Sequence, residues 1–120
     1  MKKLLILLFT LIALNAYAVN KSTTFTNDLF KQAQLEGKTV VINSWEETCT
    51  TCKKQIKFLD QAEKEFSNIL FLSFEQTKDK DIAKQLSIDY WTTIVIYKNN
   101  KEVYRSIGQT DKAKIYEAIK

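Results

Sequence analysis

Apolar positions along the chain fall into short blocks whose spacing switches between that of a helix and that of a strand. Leu29, Phe30, Ala33 and Leu35 mark a first helix from Asn27 to Glu36, with Thr26 as its N-cap and Gly37 as its stop. Val19–Phe25 is a short lead-in to it with room for one strand. Thr39–Trp45 opens on the continuous apolar, β-branched run of a strand covered on both faces. Beyond it Cys52, Ile56, Leu59, Ala62 and Phe66 recur every three or four residues, which predicts one face of a long helix ending at Ser67-Asn68. Ile69–Phe74 reads as a second central strand. A short helix follows from Asp79 to Leu86, with Ile82 and Leu86 inward. Thr93–Tyr97 and Lys101–Ile107 flank Asn99-Asn100 and predict an antiparallel hairpin. Gly108 precedes a last helix through Ile119, capped by Thr110 or Asp111, with Ala113, Tyr116 and Ile119 inward.

The resulting order, α-β-α-β-α-β-β-α, predicts an α/β domain. Its sheet has a parallel core and an antiparallel edge supplied by the terminal hairpin, with helices on both faces. No repeat, linker or low-complexity stretch divides it, and the chain contains no proline.

Residues 1–18 are expected to stand outside this domain. Lys2-Lys3, the apolar run Leu4–Leu14 and the small-x-small triplet Ala16-Tyr17-Ala18 have the layout of a secretory signal peptide cut before Val19. The run is short for an uncleaved membrane anchor. No cysteine follows the cleavage site, which argues against a lipoprotein. Val19–Lys120 is then a single domain with one modest core, exported and expected in a bacterial periplasm. The formal net charge of +4 includes two lysines of the leader. The remaining basic residues are interleaved with Asp and Glu, so no nucleic-acid surface is expected. No interface is legible either, and a monomer is expected.

The chain has two cysteines, Cys49 and Cys52, in Trp45-Glu46-Glu47-Thr48-Cys49-Thr50-Thr51-Cys52-Lys53. A bond between them closes almost no chain, and loop-closure entropy grows with loop length, so it adds little stability. A Cys-x-x-Cys where a strand hands over to a helix is instead the sequence form of a dithiol/disulfide redox centre.

These residues carry a resemblance to the thioredoxin family over nearly all of Val19–Lys120. Trp45-x-x-x-Cys49-x-x-Cys52-Lys53 follows a strand, Thr93–Val103 forms the closing hairpin, and Gly108 stands ahead of the last helix. The lead-in and early helix look most like exported thioredoxin-like reductase domains. The resemblance implies a three-layer α/β/α fold around a central mixed sheet, and protein-disulfide oxidoreductase activity with no cofactor beyond the Cys49–Cys52 disulfide. It implies that Cys49 attacks a substrate disulfide as a thiolate favoured by the helix N-terminus, and that buried Cys52 resolves the mixed disulfide. Trp45 would pack under the active-site turn. The implied partners are disulfide-bearing exported proteins and a membrane thiol that supplies electrons.

The chain departs from the family pattern at several positions. Thr50-Thr51 stand between the cysteines in place of Gly-Pro, where backbone and hydroxyl groups tune the potential. Asn43 replaces a buried aspartate two residues before the tryptophan, which leaves Glu46, Glu47 or water to take a proton from Cys52. Asn43 has a plain alternative role as a hydrogen-bonded core residue. Thr92 occupies the place of a cis-proline, and a trans peptide is expected there, because a cis bond without proline costs about 3 kcal/mol. Its hydroxyl could reach Cys49. Trp91 beside it is a candidate wall of the substrate site, with Thr92 and Gly108 as further contacts.

The leading functional expectation is a reductase or electron relay. The alternative is a module that holds Cu(I), zinc or an iron–sulfur cluster on its thiolates. The chain has no histidine, and its one methionine is Met1, so one chain offers two soft ligands. A third class, a chaperone or scaffold, would not depend on the cysteines at all.

Overall fold

The computed structural model describes residues 23–120, so the expected leader and its cleavage site lie outside the described residues. Strands β1 (Thr23–Thr24), β2 (Thr39–Trp45), β3 (Ile69–Glu75), β4 (Thr93–Lys98) and β5 (Lys101–Ile107) form one sheet in the order β1-β3-β2-β4-β5. β1, β3 and β2 run parallel, while β4 is antiparallel to β2 and to β5. The helices are α1 (Asn27–Leu35), α2 (Thr50–Glu65), α3 (Lys80–Gln85) and α4 (Lys112–Ile119).

Strand alternation sorts the core into two layers. Val40, Ile42, Leu72, Phe74 and Val95 point to one face and pack with Phe25, with Phe30 and Ala33 of α1, and with Ala83 of α3. Val41, Phe71, Ile94 and Ile96 point to the other and pack with Leu59 and Ala62 of α2 and Ile115 and Ile119 of α4. β2 lies between β3 and β4, and its residues 40–44 are buried on both faces, as its unbroken apolar opening predicts. The sheet is mixed and covered on both sides, as expected.

Local signals act where the sequence places them. The Thr26 hydroxyl accepts from Leu29 N–H at 3.1 Å and caps α1, and Gly37 takes φ +68° just past its end. Asn99 and Asn100 both adopt left-handed φ, 48° and 66°, the requirement of a tight two-residue hairpin turn. Of the two candidate caps for α4, Asp111 serves, accepting from Ala113 and Lys114 N–H.

Not every apolar helix position faces the core. Leu35 is 79% exposed. At 100° per residue it lies nearly opposite Ala33 and well away from Phe30, so the face that buries those two turns it to solvent. In α4 Ala113 is exposed, whereas Ile115 and Ile119 are buried and Tyr116 is half-buried. The isoleucine pair at i, i+4 removes far more apolar area from water than an alanine would, and that sets the helix phase. Phe66 falls one residue beyond α2, as its C-cap.

The C-terminal ends of β2 and β3, the N-terminal end of β4 and the C-terminal end of β5 all lie at one end of the sheet. The loops that leave this end carry the cysteines, Trp91-Thr92 and Gly108-Gln109.

Glu75 ends β3 there and is 5% exposed. The Thr77 hydroxyl first, and Lys78 N–H after it, hold the carboxyl below its ordinary range against the opposing effect of burial. A carboxyl with a depressed folded-state pKa stabilises the fold fully above its unfolded value and loses that contribution as pH falls through the folded one. We therefore expect the urea midpoint to drop as pH is lowered from about 4, and to drop less steeply in Glu75→Gln. Parallel acid profiles for the two proteins would contradict this role of Glu75.

Candidate active site

Cys49 is the N-cap of α2. Its backbone is extended (φ −79°, ψ 109°), and its Sγ accepts from Cys52 N–H at 3.0 Å. A helix start leaves its first N–H groups without intrahelical partners, and serine, threonine or aspartate usually meets them with oxygen. Here a sulfur does so. The two cysteines are joined as a disulfide with Cα atoms 5.2 Å apart. Cys49 is half-buried and Cys52 is 1% exposed. A reacting partner can therefore meet the first sulfur and not the second.

The turn ahead of α2 is braced by its own residues. Cys49 N–H donates to Glu46 O at 3.1 Å, and the Glu46 carboxylate accepts from Thr48 N–H at 3.0 Å and from the Thr48 hydroxyl at 2.6 Å. Glu46 thus shapes the turn. Glu47 and Thr50 are exposed, and Trp45 and Thr51 are half-buried. Among the described residues neither carboxylate hydrogen-bonds a cysteine, and neither do the hydroxyls of Thr50, Thr51 and Thr92.

Beneath the cysteines lies a bed of neutral polar groups. Asn43 is 2% exposed, and its Nδ2 faces Thr93 O at 3.3 Å, Gln55 Oε1 at 3.4 Å and Ser44 O at 3.5 Å. Three oxygens around one amide end fix its orientation, because a flipped carboxamide would set oxygen against oxygen. Its Oδ1 has no partner. Asn43 is therefore held in the core by its amide end.

The peptide bond before Thr92 is trans, as expected. Thr92 adopts φ +68°, a region that a β-branched residue rarely enters. Its N–H donates to Ser44 O at 2.8 Å, and its carbonyl accepts from Gly108 N–H at 3.0 Å and from Gln55 Nε2 at 2.9 Å. A proline could not make the first of these bonds. The absent proline is thus replaced by backbone pairing to β2. Gly108 itself has φ +74°, a conformation natural to glycine where the chain leaves β5.

Two glutamines join this arrangement unannounced by any motif. Gln55, at 0% exposure, lies on α2 one turn past Cys52. Gln76, on the other face of the sheet end, accepts the Ser44 hydroxyl proton and donates to Ile88 O at 2.9 Å. The available signal for Gln55 is its place in the stripe Cys52, Leu59, Ala62, where packing alone would select an apolar side chain. Gln76 follows a strand directly and carries no such mark. The segment from Ile88 to Thr92 is consequently tied down at both ends, and Tyr90 (62% exposed) and Trp91 (44% exposed) stand out from it.

A cleft of about 350 Å³ beside Trp45 is lined by Ile56, Phe74, Glu75, Lys78 and Asp79 among others. Among the described residues no three His, Cys, Asp or Glu side chains converge to hold a metal ion. Two thiolates fall short of the four ligands that zinc normally takes from a structural site.

Residues 17–120 match the family model described as Thioredoxin. The chain is 32% identical over 80 residues to a thioredoxin of Mycoplasma pneumoniae, an overlap that takes in 67% of this chain and 78% of that one. It is 27% identical over 82 residues to a thioredoxin H-type of Fagopyrum esculentum, spanning 68% and 71% of the two chains. The crystal structure of Trxlp from Edwardsiella tarda EIB202 superposes with a TM-score of 0.78 at 23% identity, covering 82% of this chain and 97% of that one. Mitochondrial thioredoxin 3 of Saccharomyces cerevisiae, in its oxidised form, gives 0.71 at 20% identity, with 82% and 92% covered. The fold is shared throughout.

A proline at position 92 is expected to harm this protein. Proline holds φ near −65°, cannot take +68°, and lacks the N–H that reaches Ser44 O. Thr92→Pro should lose about 1–3 kcal/mol in urea unfolding. Equal or greater stability would show that the left-handed conformation and its hydrogen bond do not hold this loop.

Proposed function

This chain belongs to the thioredoxin family and is a thiol-disulfide oxidoreductase, and from that premise we propose that it works outside the cytoplasm as a reductase or electron relay for disulfide-bearing exported proteins. The reading rests on the pairing of an accessible sulfur, capped into a helix start, with a buried sulfur three residues along.

The steps follow from that asymmetry. In the reduced protein, Cys49 as thiolate attacks one sulfur of a substrate disulfide and releases the other as a thiolate, which takes a proton from water. Cys52 then loses its proton and attacks Cys49 Sγ, and the substrate leaves with its second thiol. Two electrons have passed to the substrate, and Cys49–Cys52 is a disulfide, the state seen here. Among the described residues the Glu46 carboxylate is engaged by Thr48 and Glu47 is exposed, which favours water as the acceptor for the Cys52 proton. A membrane thiol donor would return the protein to its dithiol form, and the leader-like residues 1–18 support export to a periplasm, where such a donor is needed.

Substrate docking falls to side chains at this end of the sheet. Thr92 has both backbone groups engaged internally, so it has none free for an incoming peptide. Trp91 and Tyr90 offer aromatic surface beside it. Ile107, 61% exposed and paired in register with Thr93, adds an apolar contact next to Gly108. The protein is taken to act as a monomer.

Trapping tests the roles of the two cysteines. Cys52→Ser should accumulate mixed disulfides with exported proteins through Cys49, while Cys49→Ser should accumulate almost none. Equal trapping by both would overturn the assignment of attacker and resolver. The measured potential tests direction: about −200 to −270 mV is expected of a reductase, and about −120 mV would make the protein an oxidant.

A further inference from the structure

We propose that Gln55 is a positioning residue for the exchange reaction, holding the two loops beside the cysteine pair together as one rim. The inference rests on the reading of Cys49 and Cys52 as the exchange site, and it extends to how a protein substrate is presented to them.

The Gln55 carboxamide is fully used. One of its two Nε2 protons goes to Thr92 O and the other to Gln109 O, each at 2.9 Å, and Oε1 accepts from Asn43 Nδ2 at 3.4 Å. A flip would set its oxygen against two carbonyls, so the group has one orientation. Thr92 O also receives Gly108 N–H, which closes the two loops on each other through the same acceptor.

Packing does not account for a glutamine here. The neighbouring inward positions of α2 are Cys52, Leu59 and Ala62, and a buried amide is unfavourable unless it is hydrogen-bonded. The bonds it makes run out of the helix into the two loops.

The constraint is needed because Thr92 lacks a proline ring and holds φ +68°. A non-glycine residue stays in that region when its surroundings fix it. Three hydrogen bonds fix Thr92, and Gln55 supplies the one that comes from a side chain. Trp91 is the residue before Thr92, so its place on the surface is set through Gln55, from the helix that carries both cysteines. Loosening the rim should impair docking of a protein disulfide and leave the sulfur chemistry alone.

The experiment compares the full chain with Gln55→Met, which keeps length and loses both donors. Insulin serves as the protein disulfide and 5,5′-dithiobis(2-nitrobenzoate) as the small one. We expect the KM for insulin to rise about tenfold, with kcat and the rate on the small disulfide within about twofold of the parent. Hydrogen exchange at Gly108 N–H should quicken about tenfold, because its acceptor is freed to move.

An unchanged insulin KM with unchanged Gly108 exchange would overturn the proposal. So would equal slowing on both disulfides, since that places the effect on the sulfurs or the fold. If Gln55→Met does not fold, Gln55→Asn, with the same carboxamide on a shorter reach, carries the same measurements. A parent chain that fails to reduce insulin would count against the exchange reading itself, while Gly108 exchange would still decide whether Gln55 fixes the rim.

Discussion

A sulfur atom occupies the place where a helix has N–H groups to satisfy. Cys49 Sγ accepts from Cys52 N–H at the first turn of α2, and the aligned peptide dipoles of a 16-residue helix point their positive end at it. Both effects favour negative charge on that atom. The rest of the molecule makes the placement durable. β2 is buried on both faces and ends where the turn begins, and α2 is fixed to the sheet by Leu59 and Ala62. The turn between them is braced by Glu46 on Thr48 rather than by proline.

Behind the sulfurs the protein uses neutral hydrogen bonds. Asn43 and Gln55 on one face of the sheet end, and Ser44 and Gln76 on the other, tie β2 to the loops that surround the disulfide. Buried amides held by hydrogen bonds rigidify without adding a charge that would titrate beside the thiols. Thr92 shows the same economy of means. Its backbone pairing to Ser44 and Gly108 provides rigidity that a proline ring would otherwise supply.

Most of the fold was legible because its signals are local. The periodicity of 39–45, 69–74 and 93–107 reports strands in the order observed, Thr26 and Asp111 mark helix starts, and Asn99-Asn100 specify a hairpin turn. The cysteines were legible as chemistry because a bond so short in sequence has little structural value. What escaped was the part that depends on tertiary register. Leu35 is apolar and exposed because helix phase is set by the partners of Phe30 and Ala33. Ile115 rather than Ala113 faces the core for the same reason. The left-handed Thr92 and the reach of Gln55 to Thr92 and Gln109, 37 and 54 residues away, exist only after β4 and β5 have closed on β2. The Glu46 carboxylate is directed to Thr48 by turn geometry that no sequence pattern marks.

The ionisation of Cys49 in the reduced protein is the most direct measure of all this. It can be read from the pH dependence of alkylation at that residue, with Cys52→Ser as the background. A thiol capped into the start of α2 should ionise about one to two units or more below the 8.5 of a free cysteine. A value at or above 8.5 would mean that the helix start does not stabilise the thiolate, and the attacking role of Cys49 would lose its physical basis.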